Sequence, residues 1–97
     1  MSQHRALVRW THAGGPFLAG QYSRAHSWSF DGGLTVPASA SPANARGPYT
    51  DPSAVDPEEA FVAAIASCHM LGFLWLAAKE GIEVMSYAVL HRQLGAH

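Results

Sequence analysis

The chain holds one cysteine, Cys68, with Ser67 before it and His69 after it, at the centre of the uncharged run 60–78. A thiol becomes a nucleophile only as the thiolate, which calls for a nearby cation or a helix N-terminus to lower its pKa. Cys68 lies eleven residues beyond Pro57, where a helix is expected to begin, and a dipole effect fades within the first turn. A cation must therefore come from elsewhere, and Arg24 is the candidate. It alternates with Tyr22, His26, Trp28 and Phe30, on a face where an arginine is unusual and calls for an acidic partner nearby. Glu58 is the acid best suited to hold it. Together, Cys68, Arg24 and Glu58 would make an activated thiol.

Each residue also has a plainer reading. A free cysteine in an apolar segment is often a small core residue. Arg24 could lie on a solvent-facing surface whose aromatics are partly covered by a loop, and Glu58 could simply complement a helix dipole, as Glu59 would. His26 reads as a structural, hydrogen-bonded histidine. Cys68 and His69 project roughly 100° apart on a helix and do not converge on one ion. The histidines at 4, 12, 91 and 97 show no ligand spacing, so no metal is expected. With no glycine-rich phosphate loop and no Ser-His-Asp set, no cofactor is expected.

The elements that would carry these residues follow from periodicity. Residues 4–12 alternate as a strand, with Leu7 on the wrong side, and Ala13-Gly14-Gly15-Pro16 supplies a turn. Residues 22–30 form the clearest strand. Asp31-Gly32-Gly33 is a hairpin turn, and 34–36 begin a third strand. Five of the six prolines fall in 37–57, which reads as one long loop, either a functional wall or a solvated crossover. Asp56 as N-cap, Pro57 at the first position and Glu58 and Glu59 behind it mark a helix start. The helix runs to about Lys79-Glu80 and stops at Gly81. Residues 82–87 alternate as a further strand. The expected class is α+β, in the order β-β-β-α-β, with an antiparallel sheet packed on one long apolar helix.

Glu58 and Cys68 are ten residues apart, a rise of ~15 Å along a helix. They cannot meet within one helix, so a site using both needs a second subunit. Composition agrees: 97 residues make one small domain, and charged residues are 13% of the chain, about half the ~25% of an average soluble domain. Some apparent surface is therefore expected to be covered by a partner. Six basic residues against seven acidic ones exclude a basic nucleic-acid stripe, and 48% hydrophobic residues exclude a disordered tail. A single cysteine excludes an internal disulfide. No signal peptide is visible, which points to the cytoplasm. The run 60–78 has the length of a membrane span, but its central Ser67, Cys68 and His69 favour a buried helix, and no membrane association is expected.

The run from Asp56 to Met70 resembles the signature of the OsmC/Ohr family of thiol peroxidases, through Pro57-Glu58 and the Ala66-Ser67-Cys68 that follows. Residues 74–87 are similar to the family's helix end and next strand, and the segment Tyr22-Ser23-Arg24-Ala25-His26 looks like an OsmC-like branch of the family. The resemblance implies reduction of organic hydroperoxides by Cys68 as peroxidatic cysteine, with Glu58 holding Arg24 over the thiolate. It also implies an intertwined homodimer with sites at the subunit interface. Family members continue with further strands and a second helix bearing a resolving cysteine. Residues 88–97 do not match, so the expectation is a single, C-terminally incomplete OsmC-like domain over 1–97, using an external thiol as reductant. The alternative is a catalytically inactive OsmC-like fragment or interaction module.

Overall fold

The structure, a computed structural model, describes residues 3–43 and 47–90. It divides into two compact units, Met1–Pro57 and Glu58–His97. The first carries an antiparallel three-stranded sheet in the order β1-β2-β3, formed by Ala6–Arg9, His26–Phe30 and Thr35–Ala38. The second carries one helix, α1, Pro57–Lys79, whose first residue belongs to the first unit.

The sheet obeys the period-2 rule along β2. Register pairs Val8 with Trp28 and Trp28 with Val36, which puts the aromatics on one face. Ser27 and Ser29 lie on the other, opposite Pro37 and Thr35, and Leu7 joins them there. The Ser29 and Thr35 hydroxyls bond across the strands at 2.9 Å. Asp31-Gly32-Gly33 closes the hairpin. The Gly33 N–H donates to the Phe30 carbonyl, the Phe30 N–H donates to the Leu34 carbonyl, and Gly33 takes φ +95°. This is the three-residue loop in which a left-handed residue follows a type I turn.

Two expected elements differ. The strand read over 22–30 begins only at His26, because side chains and a loop claim the backbone before it. The Trp10 indole donates to the Ser23 carbonyl at 2.8 Å, and the Arg24 guanidinium donates to the Tyr22 carbonyl at 2.6 Å. The Arg24 N–H donates to the Tyr49 carbonyl at 2.7 Å. The Arg24 N–H, used in this way, cannot also donate to a ladder. Residues 82–90 form no strand, although 82–87 alternate. Alternation describes side chains, whereas a strand exists through a ladder with a neighbour, and these residues join none among the described residues. They fold back beside α1 instead, bringing the Tyr87 ring within 5.7 Å of the Phe73 ring.

The proline-rich stretch is more ordered than a free loop. Pro37 lies inside β3, a 3-10 turn occupies Gly47–Tyr49, and Ala38 bridges Val55 in parallel. Residues 44–46 of that stretch, and 91–97 of the unmatched tail, lie outside the described residues.

α1 starts at Pro57 and ends in a Schellman motif. The Ile82 N–H donates to the Ala77 carbonyl, the Gly81 N–H donates to the Ala78 carbonyl, and Gly81 takes φ +76°. Lys79 complements the C-terminal dipole and lies 4.9 Å from the centre of the Trp75 ring. Along most of its length the helix is apolar yet uncovered: Phe61, Leu71 and Trp75 are all exposed, and Ala77 is its one buried residue. By length and composition α1 could cross a membrane, a test that core helices also pass.

Gly15 is required by both conformation and space. Its φ is +90°, and a Cβ there would stand 2.6 Å from the Gln21 carbonyl oxygen. Gly15→Ala should lower stability by about 1–3 kcal/mol, read as a lower urea midpoint at unchanged slope. An unchanged midpoint would refute this account of the turn.

Candidate functional site

The first unit builds its site on the segment that leaves the sheet. Arg24 is half-buried. One of its terminal nitrogens donates to the carbonyls of Gly20 at 3.0 Å and Tyr22 at 2.6 Å. Its guanidinium carbon lies 3.9 Å from the centre of the Tyr22 ring and 5.7 Å from that of Tyr49. Gly20 can present its carbonyl because it caps the 3-10 turn Phe17–Ala19 at φ +76°. Carbonyl bonds and ring faces offset the desolvation of a cation that would be costly if buried bare.

Beneath the guanidinium the rings form a stack. Tyr22 lies on Phe17 at 4.7 Å, and Trp10 meets Tyr22 edge-on at 5.8 Å. His12 stacks on Trp10 at 6.0 Å and bonds the Gly15 carbonyl through Nε2 at 3.1 Å. His26 is a hydrogen-bonded histidine, its Nδ1 2.7 Å from the Arg24 carbonyl. Trp10, Phe17, Tyr22, Arg24 and His26 edge an open pocket of about 440 Å³, within the ~300–1,000 Å³ of small-molecule sites. Val8, Trp10, Phe17, Tyr22, Ala40 and Pro57 make its apolar wall, and Arg24 and His26 are its polar members.

Glu58 and Cys68 belong to the second unit. Glu58 is exposed in the first turn of α1, and Cys68 is exposed and free near the helix centre. Ten residues of one continuous helix keep them ~15 Å apart along its axis. Neither unit contains all three expected residues. Among the described residues no group of three or more His, Cys, Asp or Glu could hold a metal ion.

No protein-family model matches the sequence, and no curated protein matches it either. A solved structure does. The chain is similar to an OsmC-like protein of unknown function from Vibrio cholerae, at 54% identity over 82% of this chain, with a TM-score of 0.78. The chain belongs to the OsmC-like family. It spans about half the length of that neighbour, 53% of its chain. The three-stranded antiparallel sheet followed by one long helix is the N-terminal half of an OsmC-like architecture.

In this OsmC-like chain the sequence concealed two aromatics around Arg24, the wall residue Phe17 and the ring of Tyr49 that faces the guanidinium. Phe17 follows a glycine-proline turn and Tyr49 stands among prolines, so neither falls on a periodic face. Their one signal is that each is an aromatic residue in a turn-rich segment.

Asp51 anchors the stretch that carries Tyr49. The Ser53 hydroxyl donates to its carboxylate at 2.6 Å and the Ser53 N–H at 3.0 Å, holding the carboxyl below the ordinary carboxylate range. The folded group is the stronger acid, so its contribution is complete above the unfolded value and is lost as pH falls through the folded pKa. A carbon-13 titration should find the Asp51 carboxyl depressed, and Ser53→Ala should move it up. An Asp51 carboxyl that titrates identically in both proteins would exclude these bonds.

Proposed function

We propose that this OsmC-like chain supplies the thiol of a peroxidase that reduces organic hydroperoxides, with Cys68 as the attacking sulfur. The observation that carries the reading is the Arg24 guanidinium, fixed by carbonyls and rings at the edge of an apolar cavity. Arg24 stabilises the thiolate and the departing alkoxide, and Glu58 holds Arg24 in place. Apolar wall residues receive the organic part of the substrate.

The Cys68 thiolate attacks the outer hydroperoxide oxygen, forming an S–O bond as the O–O bond breaks. The alkoxide leaves with the bonding pair and takes up a proton to become an alcohol, leaving Cys68 as a sulfenic acid. Two equivalents of an external thiol then return the sulfur to the thiol, releasing water and one disulfide. Such a cycle suits a reducing compartment, the cytoplasm.

A second copy of the chain completes the assembly. The support is the uncovered apolar surface of α1, together with the ~15 Å that separates Glu58 from Cys68 on one helix. The exposed apolar side chains of α1 also suit a second reading, a non-catalytic OsmC-like interaction module.

Cumene hydroperoxide should convert Cys68 to one equivalent of sulfenate, trapped by a dimedone adduct in mass spectrometry. Arg24→Ala should slow this step about a hundredfold. A rate no faster than that of an ordinary free thiol, and indifferent to Arg24, would favour the interaction module. Sedimentation should give twice the chain mass, and a stable monomer at micromolar concentration would remove the shared-site geometry.

A further inference from the structure

We infer that Ser39 is a positioning residue for Arg24. The inference rests on the peroxidase reading, in which that guanidinium acts on the thiolate. Ser39 is fully buried, at 0% exposure. A polar side chain withdrawn from water in this way is costly unless its bonds are made, and here they are. The hydroxyl donates to the Ala40 carbonyl at 3.0 Å and accepts the Asp51 N–H at 2.9 Å. The Ser39 N–H donates to the Val55 carbonyl at 2.9 Å, and the Val55 N–H donates to the Pro37 carbonyl at 3.1 Å.

The consequence reaches Arg24 in short steps. Asp51 stands two residues after Tyr49, so a hydroxyl that holds the Asp51 amide also sets where Tyr49 can lie. The Tyr49 carbonyl accepts the Arg24 N–H at 2.7 Å, and the Tyr49 ring faces the guanidinium carbon at 5.7 Å. Ala40, whose carbonyl takes the Ser39 proton, is itself part of the cavity wall. One buried hydroxyl thus joins the carbonyl of a cavity-wall residue to the amide two residues beyond Tyr49, which grips Arg24 by backbone and ring. Only a side chain that donates and accepts at once can do this, and among small side chains the hydroxyl is the one that does so strongly.

The test uses Ser39→Ala in the full chain, with hydrogen exchange and peroxide kinetics read together. Exchange of the Arg24 amide should rise about tenfold as its bond to Tyr49 loosens. Sulfenate formation at Cys68 with cumene hydroperoxide should fall about tenfold. In an Arg24→Ala background the same substitution should cause no further loss of rate. A general loss of stability would slow both backgrounds alike, so equal losses would overturn the inference, as would unchanged exchange at Arg24. Should Arg24→Ala itself leave the rate unchanged, the peroxidase reading fails, while the exchange comparison still decides whether Ser39 places Arg24. Should Ser39→Ala fail to fold, Tyr49→Ala replaces it. That variant should reproduce the fall in rate with the Asp51 amide still protected, and an unaltered rate would refute the route through Tyr49.

Discussion

The first unit depends on one event, the capture of backbone at 22–25 by groups outside the sheet. The Trp10 indole takes the Ser23 carbonyl, the Arg24 guanidinium takes the Tyr22 carbonyl, and the Tyr49 carbonyl takes the Arg24 amide. Each bond satisfies a backbone group with a partner outside the sheet. The ladder between β1 and β2 ends at the pair Arg9 and Ser27. Beyond it, the chain is free to bend and lay the Tyr22 ring under the guanidinium. A strand that continued through Tyr22 would leave Arg24 without its carbonyls and the cavity without its polar edge.

The second unit is governed by a different constraint. α1 is sharply defined at its C-terminus, where Gly81 adopts the left-handed conformation and two amides close on helix carbonyls. Its sides are apolar and exposed, with Ile65, Phe73 and Leu76 each about half or more accessible. A surface of this kind marks a place meant to be covered. The same helix carries Cys68, so whatever covers α1 also sets the surroundings of the thiol.

Much of the fold was legible because it rests on local rules. The serine and aromatic faces of β2, the Asp31-Gly32-Gly33 hairpin and both ends of α1 follow from alternation, turn chemistry and capping residues. What failed to be legible was non-local. Residues 82–87 alternate too, yet a strand needs a neighbour, and sequence alternation cannot supply one. Whether the proline-rich stretch was a wall or a crossover stayed open because its order is non-local, from Ser39 bonding Asp51 twelve residues away and Ala38 bridging Val55.

The site shows the same division. By itself, the sequence determined which groups are the candidates, a lone thiol and an arginine among aromatics, and the helix spacing that keeps Glu58 from Cys68. These follow from residue type and from the fixed rise of a helix, which hold in any surroundings. Only the tertiary structure decided that Arg24 leaves its strand, rests on Tyr22, and is gripped by Tyr49 across 25 residues of chain. Those contacts arise because buried hydrogen-bonding groups must find partners wherever the folded chain brings them within reach, a requirement that no local pattern encodes.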